Sequence, residues 1–331
     1  LIDGSPLTEE LPITPDLNVG KVVDICNHFL SLRDPRQQYM GIFVYDLKHE
    51  DEADEGANPL ADAEEDEDSG RVVKKTPRPL QNNDFLGDVV TVKVRQNQPF
   101  KFVFKRKIYL KSADEPSDDA GWESLMYYQA VDETIHGNIP LESEDEVALF
   151  AARCMVTDMG EDLGETEEEV AEAGAIEYVP FAWRERLDAS EWVTRVCTAL
   201  DKDDGELREE GHAEAQAAVI ATAKDHPLYG TCFFNVRRKT FPDSMASFPE
   251  FITIALNSEG LHFLDDAKET LSPFGFADIY RWGGSSTQFS IILWNAEDDE
   301  TEEVTFFTDQ AADIASLILD YINAIMAAGD E

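Results

Sequence analysis

Six histidines and four cysteines are the residues of this 331-residue chain best able to ligate a metal or attack a substrate. His28, His49, His136, His212, His226 and His262 are scattered. None stands four residues from another, as two imidazoles on one helix face must to share a zinc ion, and no HExxH occurs. Glu209, Glu210 and Glu214 surround His212 as a weak cation site would, but a solvated helix turn accounts for them better. Cys26, Cys154, Cys197 and Cys232 are far apart with no CxxC pair, so they read as buried thiols of a reducing compartment. Gly283-Gly284-Ser285-Ser286 is glycine-rich, yet strand-like residues flank it on both sides. A phosphate cradle needs a helix N-terminus after the loop, so these four residues read as a hairpin turn. No P-loop or GxSxG is present. In a chain with 69 Asp and Glu, neighbouring carboxylates say nothing about acid–base catalysis. The expectation is a protein with no enzyme activity, no metal and no cofactor.

Two features can carry binding instead. Lys101, Lys105, Arg106 and Lys107, with Lys111 after them and Arg71, Lys74, Lys75 and Arg78 before, form the basic group of the chain. In a strand, Lys101, Lys105 and Lys107 face away from Phe100, Phe102 and Phe104, although Val103 falls on the basic face and Arg106 on the aromatic one. Two readings stand: cations neutralising acidic neighbours, or a patch for lipid headgroups or acidic peptides. The second feature is the strand pattern over 287–294, where Phe289, Ile291 and Leu293 share a core face and Gln288, Ser290, Ile292 and Trp294 share the other. Burial against a neighbouring lobe and contact with a partner account equally well for Ile292 and Trp294.

The elements that position these residues fall into three stretches. In the first, Asn18 can cap a helix with Val22, Val23, Ile25, Cys26, Phe29 and Leu30 on one face, and residues 39–45 make a buried strand. An acidic insert over about 49–70 follows, read as a disordered loop because like charges at that density repel. The alternating run 100–110 closes a compact α+β unit similar in order to ubiquitin. The second stretch changes to helical periodicity, and Ser143 with Glu146 reads as a capping box. A second acidic run spans 161–172. The third stretch has short strands bounded by Gly, Pro, Asn or Asp. It ends in a helix capped by Thr308 whose stripe contains Ile314, Leu317, Ile318 and Tyr321. That is the plan of a pleckstrin-homology or phosphotyrosine-binding sandwich.

Net charge narrows the partners. With 27 basic and 69 acidic residues the chain carries −42, which argues against nucleic-acid binding and against unassisted adhesion to anionic membranes. No uninterrupted apolar run approaches the ~18 residues of a membrane span. The opening Leu1-Ile2-Asp3-Gly4 lacks an initiator Met and a signal core, so the chain is expected to be part of a longer protein.

The order of the three stretches and their local motifs resemble the FERM domain. Phe100-Lys-Phe-Val-Phe-Lys-Arg-Lys-Ile-Tyr-Leu110 is similar to the strand closing its first lobe. Tyr127-Tyr-Gln-Ala-Val-Asp-Glu-Thr-Ile-His-Gly-Asn-Ile-Pro140 and Ala148-Leu-Phe-Ala-Ala152 resemble its second lobe. His226-Pro-Leu-Tyr-Gly-Thr-Cys-Phe-Phe234, Ile254-Ala-Leu-Asn-Ser-Glu-Gly-Leu-His-Phe263 and Ile279-Tyr-Arg-Trp282 resemble its third. The subtype is that of unconventional-myosin tails, where FERM follows a myosin tail homology domain. Plant-type kinesins and talin carry similar domains.

The resemblance implies a ubiquitin-like lobe over 1–111, an acyl-CoA-binding-protein-like helical lobe over 112–225 and a pleckstrin-homology-like lobe over 226–331. It further implies a cytoplasmic, cytoskeleton-associated module that binds cargo or adaptor peptides and contributes to motor autoinhibition, with the motor N-terminal to it. A talin-like scaffold joining receptor tails to actin is the alternative. The implied peptide site lies between the 287–294 strand, taken as an exposed edge, and the C-terminal helix. Ile314 and Leu317 would form its apolar wall, Gln288, Ser290, Ile292 and Trp294 would flank the ligand, and Arg281 and Trp282 would form its rim.

Overall fold

The computed structural model describes residues 11–48, 64–65, 72–73, 76–110, 117–295 and 300–329. These fall into two compact units, one helical and one built from the two β-containing parts of the chain.

In the first β-containing part, Asn18 caps helix α1 (Val19–Phe29), its side chain accepting from the Lys21 N–H at 3.0 Å. The α1 residues Val19, Val22, Val23 and Cys26 are buried. Strand β1 (Met40–Asp46) is buried over its first six residues. Strands β2 (Glu64–Glu65) and β3 (Val72–Val73) pair with each other. Glu64–Glu65 lies inside the expected disordered insert and is paired; the rest of that insert lies outside the described residues. After β4 (Arg78–Pro79) and helix α2 (Leu86–Arg95), strand β5 (Phe100–Arg106) completes an antiparallel sheet ordered β4-β1-β5. Helix α2 is foreign to the residue propensities, since it holds Val89, Val90, Thr91, Val92 and Val94. Its start needs Gly87, where a Cβ would come within 2.8 Å of the Pro15 carbonyl oxygen.

The helical unit contains α3 (Ala120–Ile135), α4 (Glu144–Met159), α5 (Glu167–Glu172), α6 (Phe181–Arg184), α7 (Ala189–Leu200), α8 (Glu206–Glu209) and α9 (His212–Lys224). Helix α4 packs between α7 and α9, and Ala151, Met155, Val196, Leu200 and Ala215 meet in its core. The expected capping box at Ser143 is half formed. The Ser143 hydroxyl accepts from the Glu146 N–H at 3.2 Å, but the Glu146 carboxylate reaches the Glu142 N–H instead. A complete box occurs at Thr166 and Glu169, so part of the second acidic run is the first turn of α5, where negative charge is favourable.

The second β-containing part holds seven strands and one helix. They are β6 (Cys232–Thr240), β7 (Phe251–Asn257), β8 (Gly260–Leu264), β9 (Thr270–Gly275), β10 (Ile279–Gly284), β11 (Gln288–Asn295), β12 (Glu300–Phe307) and α10 (Ala311–Gly329). All pairs are antiparallel, and the order is β10-β11-β12-β6-β7-β8-β9. Phe234, Ile254, Phe263, Phe289, Ile291 and Phe306 fill the interior. Helix α10 covers it with Ile314, Leu317, Ile318 and Tyr321. Thr308 does not cap α10 as expected: its hydroxyl accepts from the Gln310 N–H at 3.1 Å, one residue before the helix begins. Among the described helices α10 alone is long and apolar enough to cross a membrane, and its apolar stripe is the face it buries on the sheet.

Candidate functional site

A sheet can bind an extended peptide only at an unpaired strand, because only there do main-chain N–H and C=O groups lack partners. The seven-stranded sheet ends in β9 on one side and β10 on the other. Strand β9 carries Pro273, which withdraws one donor. Strand β10 has neither Pro nor Lys along Ile279–Gly284. It ends at Gly284, where a Cβ would lie 2.5 Å from the Gln288 carbonyl oxygen and 2.7 Å from Ala311 Cβ. Helix α10 runs beside it, and the Trp282 indole Nε1–H donates to the Ala315 carbonyl oxygen at 3.0 Å. The open strand, an indole and the outer side of α10 with half-exposed Leu319 therefore stand together.

This corrects the expected edge. Strand β11 is interior, paired with β10 on one flank and β12 on the other, so it offers no free main chain. Its alternation shows which side chains share a face but not which strands are neighbours. Ile314 and Leu317 are also corrected: at 0 % and 2 % exposure they belong to the interior and can wall no ligand site. Gln288 accepts from the Lys239 Nζ at 2.6 Å, and the Ser290 and Thr305 hydroxyls lie 2.8 Å apart, so both are engaged within the sheet. Ile292 is half-buried and Trp294 is exposed, both on the solvent side. Arg281 is exposed and Trp282 half-buried, and these two do lie on the open strand.

The basic group is not an exposed patch. Lys105 is buried, with its ammonium 4.5 Å from the Phe43 ring centre and 5.3 Å from that of Tyr45. Arg106 is buried, stacks 4.1 Å over Tyr109 and donates from Nε to the Ile108 carbonyl at 3.0 Å. Lys107 is buried and pairs with Asp320 of α10 at 2.8 Å. Lys101 alone of the four is half-exposed, over the Tyr45 ring at 5.5 Å. Lys111, Arg71, Lys74 and Lys75 lie outside the described residues. Long basic side chains can bury their stems and still find an anion or a ring face, and that is what Lys105, Arg106 and Lys107 do.

Sequence reasoning missed the contacts that fix α10 to the β4-β1-β5 sheet. Arg78 of β4 pairs with Asp313 in the first turn of α10 at 2.7 Å. Burial raises the Asp313 carboxyl to about 6, against the opposing pull of Arg78. Just past β5, the Tyr109 N–H donates to the Tyr321 hydroxyl of α10 at 3.5 Å, and that hydroxyl donates in turn to the Gly230 carbonyl at 3.2 Å. No local pattern signals these contacts, because each joins residues more than ninety positions apart.

Among the described residues no group of His, Cys, Asp and Glu could hold a metal ion. What the geometry offers is main chain, aromatic surface and an apolar helix side, which defines a protein-binding module. Comparison with known proteins gives the class its family. A model of the FERM central domain matches residues 114–234, and a model of the PTB domain (IRS-1 type) matches residues 234–326. Residues 114–234 are a FERM central domain, and the chain has the FERM fold, with a β-grasp-like N-terminal sheet, a helical central lobe and a PTB-like β-sandwich closed by a helix. FERM and PTB domains are non-catalytic binding modules.

The chain is similar to mouse unconventional myosin-VIIb, at 24 % identity over 199 residues covering 59 % of this chain and 9 % of that protein. It is also similar to FERM domain-containing protein B of Dictyostelium discoideum, at 26 % over 203 residues covering 60 % and 41 %. It thus spans under half the length of both. The same fold is seen in the human myosin 7b C-terminal MyTH4-FERM domain solved in complex with the harmonin-a PDZ3 domain. There the TM-score is 0.63 at 20 % identity, covering 96 % of this chain and 58 % of that one.

Proposed function

We propose that this chain is the cargo- or adaptor-binding FERM module of an unconventional-myosin-type motor tail, working in the cytoplasm at the cytoskeleton. Its ligand is an extended peptide segment of a protein partner that joins β10 as an added strand, with Trp282 and the outer side of α10 as its wall. The observation that carries this reading is the open β10 edge beside α10, on a sheet whose opposite edge is interrupted by Pro273. Likeness to myosin VII tails supports the motor context, and the myosin 7b–harmonin complex is a precedent for an adaptor partner. The test is affinity capture from cytosolic extract with the wild-type chain and with Leu319→Asp/Trp282→Ala, both checked by circular dichroism. Leu319 is 49 % exposed, so its charge is tolerated by the fold. The variant is expected to lose the adaptors that the wild type retains. A folded variant that keeps every partner removes the β10 edge as the site.

A further inference from the structure

The register between β10 and β11 slips by one residue at Tyr280: Ile279 opposes Leu293, and Arg281 opposes Ile292. A bulge of this kind sets two residues against one, so Tyr280 and Arg281 together stand opposite Ile292. Ile279 and Leu293 face the interior, which turns Ile292 and then Trp294 to the solvent side. Tyr280 is 73 % exposed and Trp294 39 % exposed, among the largest apolar exposures of this sheet. On the next strand Glu303 stands opposite Ile292, on the same solvent side, and is exposed. Neither Glu303 nor Arg281 makes an ion pair or side-chain hydrogen bond with any described residue.

We propose that this solvent face, with Tyr280, Ile292 and Trp294 as its apolar floor and Glu303 at its rim, docks a Lys- or Arg-rich protein segment carrying an aliphatic anchor. Tyr, Trp and Arg grouped on one surface are the residues that carry most binding energy at interfaces. The Glu303 carboxylate beside the floor and the −42 charge of the chain select a cationic partner and speed its approach, while they repel acidic ones. Arg281, at the outer margin, is placed to take a carbonyl or carboxylate of the same segment. The inference rests on the reading of this chain as a protein-binding module, but it concerns a face separate from the β10–α10 edge.

The test uses three labelled peptides of about 12 residues that share one Leu-Leu anchor flanked by Lys, Ser or Glu. Binding to the intact chain is followed by fluorescence anisotropy at low and moderate salt. The Lys-flanked peptide is expected to bind about tenfold more tightly than the Ser-flanked one and to weaken several-fold with salt, and the Glu-flanked one is expected not to bind. Ile292→Asp/Trp294→Ala should weaken the Lys peptide about tenfold although it adds negative charge, and Glu303→Gln should weaken it several-fold. Leu319→Asp, on the other face, should leave it unchanged. Equal binding to wild type and Ile292→Asp/Trp294→Ala overturns the proposal, since attraction to net charge alone would then suffice. Failure of the Lys peptide to bind, or equal binding of all three peptides, overturns it as well. Loss through Leu319→Asp alone also overturns it, and leaves the β10–α10 edge standing as the site.

Discussion

Asp313 sits with its carboxyl buried at the start of α10, and its ion-pair partner among the described residues, Arg78, is 43 % exposed. Because burial raises the carboxyl from 3.8 to about 6, the folded chain holds this proton more tightly than the unfolded one. Stability from this group is therefore fully present below about pH 4, falls as pH rises through about 6, and stays at its lower value above. Asp313→Asn should flatten that part of the pH dependence. At pH 7 it should raise stability by up to about 3 kcal/mol, since Arg78 remains free to be hydrated. Urea unfolding at pH 4.5 and pH 7 decides it; an equal loss at both values would show the pair to be net stabilising. Trp282 offers a second measurement at this scale. Trp282→Phe keeps a ring against α10 and removes the donor to the Ala315 carbonyl, so a loss of about 1 kcal/mol is expected in the same titration. Trp282 could be singled out from sequence as part of Ile279-Tyr-Arg-Trp282. Its partner on α10 could not, because residue types do not say which carbonyl an indole reaches across 33 positions.

Helix α10 serves three surfaces at once: it buries a stripe on the sandwich, borders the open β10 strand, and is tied to the β4-β1-β5 sheet by Arg78 and Lys107. The Lys107–Asp320 tie is asymmetric, with side-chain exposures of 7 % and 35 %. Removing the better-solvated member strands a buried ammonium, whereas removing the lysine leaves a carboxylate that water can reach. Asp320→Ala should thus cost about 2 kcal/mol or more and Lys107→Met about 1 kcal/mol or less. Equal costs in chemical denaturation would show Lys107 to be hydrated. The same helix shows what sequence can and cannot carry. Its stripe, the core face of β11 and the succession of strand-rich and helical stretches follow from periodicity, which is local. Strand neighbours are not local, so β11 could be mistaken for an edge that β10 occupies. Strand β9 was hidden by Pro273, which a strand tolerates only at an edge, and α2 by four valines in a ten-residue helix. The basic run was visible as charge, while its burial depended on rings and carboxylates supplied by other elements.

At the scale of the molecule, charge dominates every other compositional feature. Sixty-nine acidic residues against 27 basic ones leave −42, and folding brings those charges closer together than the unfolded chain does. Salt acts on this balance in two directions. It screens the net repulsion, which favours the folded chain, and it weakens exposed ion pairs such as Arg195–Glu144 and Arg208–Asp201, which are each worth little. The ties Lys107–Asp320 and Arg78–Asp313 each bury one member, so salt screens them less than it screens fully exposed pairs. Repulsion summed over so large an imbalance outweighs a few surface pairs, so the thermal midpoint should rise by several degrees between about 0.02 M and 0.3 M NaCl. That is the shift about 1–2 kcal/mol produces in a chain of this size. Chloride is the salt to use, because sulfate strengthens apolar burial whatever the charge. A midpoint that stays level or falls would mean that the carboxylates are compensated locally. The −42 would then be a poor guide both to stability and to the cationic partner that it is argued to attract.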